Sequence, residues 1–470
     1  MSKRNLETME TDSQNMEERP EKLSRFDAPA DPPSSGIDHG PTTSHQSTFD
    51  QGSSDNAPIE VPSVQAKPYR IRCAKMSSVP EHAYKENGLP RIAVGQEVDG
   101  QFDTLKFLGF GTYATIWLVK NRTDGNYEAL KITKSDPKYQ RKAKRESAFM
   151  KYMIKMGSQE NIVKFLGINE IEEKETIHQA LRFEVLGPNL NEVLHRCELK
   201  FHPNVLKNMI KQLLKAVEYV HQKGIIHMDI KPANIMFAIC EENVQNIATS
   251  LDTSCNIYHL DLAHAKSKFT LKLGDFGNSF KTFVHNERPA PSMCTYRAPE
   301  SILTTGIDFP IDMWSVGCVI HEIVIRRSLI SCSKQDGHYH DHLVEMAEIL
   351  GPIPKAPFNN LIRPDCTDYF GADDYILHRG TPDVHKIFAD AVTRHYLNAK
   401  DGACFSKFVS PFFELDPKKR VTAKEALNHE FLKPNEDKSV RGIEATELGI
   451  PSVDPSKAST SQPSSSASGN

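Results

Sequence analysis

The sequence reads as a run of short strands followed by stretches of helical spacing, the order of an α+β chain. Three stretches of the 470 residues carry this prediction. Residues 102–132 alternate and turn like a meander of strands. Residues 204–221 place apolar side chains at helical spacing. Residues 311–325 are the most apolar segment. Asp312, His321 and Glu322 interrupt it, so it reads as a buried core helix rather than a membrane span.

The elements follow in order. Residues 102–108 form a strand, Gly109-Phe110-Gly111-Thr112-Tyr113-Ala114 a turn, and 115–119 the returning strand. Glycines at such a turn let backbone approach phosphate oxygens closely. Strand–turn–strand is not the strand–turn–helix of a dinucleotide site or a Walker loop. Asp124-Gly125-Asn126 turns the chain into a strand at 127–132. Lys131 inside that strand is either a solvated edge lysine or a buried one that needs a carboxylate. Glu146, on a helical stretch at 138–153, can supply it. The basic run 141–145 reads as a solvated helix face, although it also resembles a nuclear address.

Residues 180–187 form a strand ending in a glycine break. The helix at 204–221 has Pro203 at its first turn and Gly224 at its stop. It delivers the chain to the stretch from Ile226 to Asn234, which brings a carboxylate (Asp229), an ammonium (Lys231) and an amide (Asn234) together. These can accept a proton from a hydroxyl, neutralise a phosphate and ligate a metal ion; a chance polar loop is the alternative. A strand at 235–239, a polar loop at 240–268 and a second strand lead to Asp275-Phe276-Gly277, where Asp275 is a metal-ligand candidate. Thr422 and Glu425 form a capping box late in the chain. His338, His340 and His342 read as a solvated loop rather than a metal site.

Composition excludes some classes. A net charge of −4 gives no basic field for nucleic acid. Nine cysteines without a C-x-x-C pair argue for free thiols in a reducing compartment, and Cys294 reads as inert. The polar, charged residues 1–20 are no secretory signal. Residues 1–80 and 434–470, rich in Ser, Pro and charge, read as disordered arms, the second Ser-rich.

Gly109-x-Gly111, Lys131, Glu146, His227-x-Asp229, Asn234, Asp275-Phe276-Gly277 and Ala298-Pro299-Glu300 resemble, in order and context, the eukaryotic protein kinases, across residues 100–433. Tyr296-Arg297-Ala298-Pro299-Glu300 is similar to the CMGC group. The lead-in at 84–102, the turn at 109–118 and Gly277-Asn278 resemble the kinases of Ser/Arg-rich splicing factors. The stretch 341–354 and the short insert at 240–268 also resemble the sibling LAMMER kinases.

The resemblance implies a bilobal protein-kinase fold. It has a β-rich N-lobe at about 102–187, a helical C-lobe at about 188–433, and a domain with lead-in at 81–433. It implies ATP and Mg²⁺. Leu108, Gly109, Phe110, Gly111, Thr112, Ala114 and Ile116 would cover the nucleotide. Lys131, held by Glu146, would position its phosphates. Ala129, Phe183, Glu184, Val185, Leu186 and Met236 would line the adenine pocket. Asn234 and Asp275 would hold Mg²⁺, Asp229 and Lys231 would be catalytic, and Glu300 would pair with Arg420.

Lysine two residues after Asp229 resembles Ser/Thr rather than tyrosine kinases. Met228 stands where most kinases have an arginine that reads an activation-loop phosphate, which implies activity without such phosphorylation. The expected substrates are basic Ser/Arg-rich proteins, met by a monomer in cytoplasm and nucleus. Residues 336–383 hold nine acids against three Lys/Arg, and Asp341 and Glu348 would share a helix face as a docking surface. The alternatives are a LAMMER-type dual-specificity kinase, a divergent kinase with Pro-directed or acidic sites, and a non-catalytic scaffold. The presence of Lys131, Asp229 and Asp275 disfavours the scaffold.

Overall fold

The computed structural model describes residues 69–72, 79–173, 175–196, 201–252, 256–262, 264–282, 294–304, 306–331, 338–358, 362–376, 388 and 399–434. The chain divides into units Met1–Ser63 and Val64–Asn470, the first wholly outside the described residues.

After strand β1 (Tyr69–Arg72), the N-terminal half of the second unit is built from β2 (Glu97–Val98), β3 (Phe102–Phe110), β4 (Ala114–Asn121) and β5 (Tyr127–Thr133). Helix α1 (Pro137–Lys155) follows, then β6 (Phe165–Glu173) and β7 (Thr176–Phe183). Strands β2 to β7 form one antiparallel sheet in the order β2-β3-β4-β5-β7-β6. Lys131 lies on β5, inside that sheet, opposite Ile116 and Leu181. Helix α1 starts where Asp136 accepts the Lys138 N–H, with Pro137 in its first turn. It buries Ala143, Glu146, Met150 and Met153.

The larger half comprises β8 (Leu186–Asn189), α2 (Leu190–Arg196), α3 (Pro203–Gln222), β9 (Ile225–Ile226), β10 (Ile235–Ala238), α4 (Glu241–Thr249), β11 (Ile257–Leu260), β12 (Leu271–Leu273), β13 (Phe280–Lys281), α5 (Pro299–Leu303), α6 (Pro310–Ile325) and α7 (His338–Leu350). Further helices lie at Ala399–Val409 and Ala423–Leu427. The α3 stripe from Val205 to Val220 is buried, as its period requires. In α6 every residue from Ile311 to Ile325 is buried, so the polar ones among them need partners. Glu322 has them in the Tyr296 hydroxyl at 2.7 Å and the His195 imidazole at 2.5 Å. Thr422 and Glu425 form the capping box.

Three expectations are corrected. The arm expected to lack structure to residue 80 contributes β1, which pairs antiparallel with β11; the rest of its calls, like the tail at 435–470, lie outside the described residues. The 240–268 segment is not a plain loop. Helix α4 turns Val244 and Ile247 inward, and with Tyr258 of β11 they meet Leu118, Val185, Leu105 and Leu108 of the N-terminal half. Polar composition hid this, because three inward side chains suffice to seat the segment. The histidines at 338–342 start α7 rather than occupying a solvated loop, and His342 is buried.

Candidate active site

The stretch at 227–234 is held from below by Asp312 of α6. Its carboxylate accepts the backbone N–H of His227 at 2.7 Å and of Met228 at 2.9 Å, and also meets the His221 ring at 3.0 Å. Met228 has φ +70°, a left-handed conformation costly for a side chain of its size, and Asp312 helps to hold it there. The Met228 side chain is buried. His227 accepts the Asp229 N–H on Nδ1 at 3.2 Å, so its Nε2 carries the proton and donates to the Gly274 carbonyl at 3.0 Å. One ring thus ties this loop to the segment before Asp275.

Asp229 is buried, and its carboxylate accepts the Lys231 ammonium at 3.0 Å, the Asn234 amide at 3.2 Å and the Asn278 amide at 3.3 Å. The Asn234 amide nitrogen also donates to the Asp229 carbonyl at 2.8 Å, which leaves its side-chain oxygen as an acceptor facing elsewhere. Strands β10 and β12 pair Ile235 with Leu273, and Gly274 N–H donates to the Asn234 carbonyl at 2.9 Å. The two metal-ligand candidates therefore sit side by side, Asn234 just before β10 and Asp275 just after its partner strand β12.

Lys131 donates to Glu146 at 2.9 Å and to Asp275 at 2.8 Å. Burial works against the lysine charge, but Asp275 and Glu146 outweigh it and hold its pKa well above the ordinary value. Burial raises Glu146. It also opposes ionisation of Asp275, but the Lys131 charge and hydrogen bond hold that carboxyl well below the usual range.

Sequence reasoning missed three residues. Asp312 was noted only as an interruption of an apolar helix; a buried acid there signals a partner-holding role. The Tyr113 hydroxyl donates to Asp275 Oδ1 at 2.6 Å, and burial holds its pKa well above the ordinary phenol value. Lys142 places its ammonium 3.8 Å from the Tyr113 ring centroid. Its run, expected to be a solvated face, has Ala143 buried and Lys142 and Arg145 half-buried against the cleft.

These groups open on a cleft of about 1340 Å³ between the two halves. Fourteen of the fifteen residues expected at the nucleotide line it, from Leu108 to Met236, together with Asp229, Lys231, Asn234 and Asp275. Val185 does not. It packs with Leu118 and Tyr258, because successive residues of extended chain point opposite ways. The Glu184 side chain is engaged by the Lys164 N–H at 2.6 Å and the Lys272 ammonium at 2.8 Å. Gly274 lets the Met236 side chain pack closely, since a Cβ there would sit 2.7 Å from Met236 Cε and push that chain end aside.

The residues fit Mg²⁺, which takes one or two carboxylates and completes its shell with phosphate and water. Asp275 and the Asn234 carbonyl oxygen offer such a pair. No cluster of three or more His, Cys, Asp or Glu suited to a metal exists among the described residues. Away from the cleft, Asp341 and Glu348 are exposed on α7. Arg420 and Glu300 form the expected buried pair, with one bond at 3.0 Å, and Arg420 also donates to the Pro310 and Glu414 carbonyls. Among the described residues no helix is long and apolar enough to cross a membrane.

Comparison with known proteins matches the protein kinase domain family over residues 102–432. A serine/threonine-protein kinase SRPK of Physarum polycephalum is 27% identical over 74% of this chain and 90% of its own. The serine/threonine-protein kinase AFC3 of Arabidopsis thaliana is 28% identical over 71% and 82%. The dual specificity protein kinase CLK2 of Mus musculus is 27% identical over 72% and 65%. A crystal structure of a kinase domain superposes with a TM-score of 0.56 at 25% identity, covering 73% of this chain and 98% of that one.

Proposed function

Because this chain belongs to the protein kinase family, and within it to the CMGC type of the SRPK, AFC and CLK kinases, we propose that it phosphorylates serine or threonine in Ser/Arg-rich proteins. The observation that carries the catalytic part is the Asp229 carboxylate, buried at the cleft wall with Lys231 bridging both its oxygens at 3.0 and 3.1 Å.

In this reading Asp229 orients the acceptor hydroxyl and takes its proton as the oxygen bonds to the γ-phosphorus and the bond to the β-phosphate bridge breaks. Lys231 offsets the charge that develops on the transferred group. Lys131, fixed by Glu146, holds the α- and β-phosphates, and the turn from Gly109 to Ala114 covers them. Asn234 and Asp275 would hold Mg²⁺, which supplies charge neutralisation on the phosphates when bound. Met228, buried and unable to reach a phosphate, favours activity without activation-loop phosphorylation. Replacing Asp229 by Asn should lower kcat about 10²- to 10⁴-fold, the span of a general base, while nucleotide still binds. Undiminished turnover in the purified variant would overturn the assignment.

The Ser/Arg preference is supported by the α7 face. Among the described residues Asp341 meets only His340, at 3.9 Å, and Glu348 forms no ion pair, whereas Asp365 and Asp374 are engaged by Arg363 and Lys355. Free exposed acids suit a cationic segment. Asp341→Lys with Glu348→Lys should raise KM for an Arg/Ser peptide about three- to tenfold and leave a peptide without arginines unaffected. Equal effects on both peptides would remove the docking role.

A further inference from the structure

Nothing in the proposed transfer step uses the segment 240–268, yet two of its side chains, Asn256 and Tyr258, line the same cleft as Leu108 and Leu186. Both are buried, at 3% and 5% exposure. Strand β11 explains the spacing. It runs extended from Ile257 to Leu260, so Asn256, Tyr258 and Leu260 face inward while His259 faces out.

Tyr258 abuts the link between the two halves. Residue 187 is glycine, and a Cβ built there would lie 3.6 Å from Tyr258 Cδ1 and 2.6 Å from Ile239 Cγ2. The Tyr258 ring also belongs to the apolar cluster of Val185 and Leu118, against which Leu108 packs. Leu108 is therefore shared: it covers the nucleotide in the kinase reading and packs in the cluster of Tyr258. Leu186 and Gly187 line the cleft where the ring meets the link. A link joining two halves leaves the edge of the cleft beside it open to water. Here a side chain from the insert fills that edge.

The filling is held from several directions. Val244 and Ile247 of α4 join the same cluster, and Asn243 donates to the His259 carbonyl at 3.3 Å. Strand β11 is paired with β1. A ring packed on that many sides yields little to an incoming group.

We propose that Tyr258, with Asn256 two residues before it on the same face, is a specificity-determining wall of the nucleotide site. It closes the cleft at the Gly187 end and rejects nucleotides enlarged on the base, while the ordinary adenine nucleotide fits. The inference rests on the kinase reading of the cleft and deepens it, naming what limits the nucleotide. The bulk of the ring carries the discrimination, by obstruction rather than by attraction.

The test uses the full chain, an Arg/Ser peptide, ATP and two enlarged analogues. Each analogue carries a phenyl group on the base, one at the amino nitrogen and the other at carbon 2. In the wild type, kcat/KM for the more strongly rejected analogue should fall at least about tenfold below that for ATP, the low end of what one misfit group costs a closed pocket. Tyr258→Ala should bring the two values within about threefold of each other. Tyr258→Phe keeps the ring and should keep the wild-type ratio. Each ratio is taken within one enzyme preparation, so a general loss of activity cancels. Tyr258→Leu fills more of the apolar cluster and gives an intermediate ratio if the Ala variant folds poorly. Displacement of ADP labelled on its ribose reads the same ratios as affinities, with no peptide and no turnover. Equal use of ATP and both analogues by the wild type would overturn the wall. So would a ratio unchanged in Tyr258→Ala and Tyr258→Leu, or one lost as fully in Tyr258→Phe as in Tyr258→Ala. If ATP itself neither displaces the labelled ADP nor supports phosphorylation, the kinase reading fails and the wall falls with it.

Discussion

Tyr113→Phe tests how the glycine turn and the metal-ligand candidate compete. Asp275 Oδ1 already accepts two donors, the Tyr113 hydroxyl at 2.6 Å and the Lys131 ammonium at 2.8 Å. A cation binding that oxygen has to displace the phenol, because Lys131 is also anchored by Glu146. A hydrogen bond to a charged group contributes about 1.5–3 kcal/mol, and rehydration of the released hydroxyl returns part of it. The net penalty is then about 1–2 kcal/mol, or roughly five- to thirtyfold in the metal concentration needed for half activity. Phe keeps the ring against Tyr139, at 5.6 Å, and under Lys142, so the loop retains its packing. Kinase activity measured against Mg²⁺ at saturating peptide and nucleotide should show a lower half-saturation point in the variant. An unchanged or higher value would refute the competition, and with it the view that Asp275 binds the metal through this oxygen.

Two further predictions concern stability. Arg420→Met leaves Glu300 buried without its cation and should cost about 3–5 kcal/mol in urea unfolding, and a second change of Glu300→Leu should recover much of it; additive losses would show the pair uncoupled. Burial lowers the His321 pKa from 6.5 to about 4. The unfolded chain therefore takes up the proton first, so the contribution is complete above pH 6.5 and drains as pH falls toward 4. Unfolding free energy should drop by about 2 kcal/mol from this group between pH 7 and 5. His321→Gln should flatten that slope, and identical slopes in both proteins would sink the assignment.

What could be read from residues alone was local or motif-borne. The α3 stripe has a period that one face must bury, and it does. Lys131 and Glu146 met because a buried ammonium requires a carboxylate and the following helix had one to offer. Ala114, read as the end of the glycine turn, is the buried first residue of β4. The misses are long-range. Nothing near Asp312 in sequence points to Met228, eighty-four residues before it. Tyr113 and Asp275 are 162 residues apart, and only the folded sheet and cleft bring them together. The basic run was misjudged because composition records charge but not direction: helical rotation sends Lys142 and Arg145 inward and leaves Lys144 outside. The arm strand was invisible because four residues pair only where β11 offers an edge.

The segment between β10 and β12 carries a thermodynamic obligation. Val244, Ile247 and Tyr258 close an apolar seam with Leu105, Leu108, Leu118 and Val185, while β11 pairs with β1 in a two-stranded sheet. Tyr258 also lines the nucleotide cleft. Whatever ordering a nucleotide brings to this seam is a free energy shared by both sites, and reciprocity makes it run in either direction. A ligand that grips or strips β1 would then be read out as nucleotide affinity, by the same factor that nucleotide exerts on the strand.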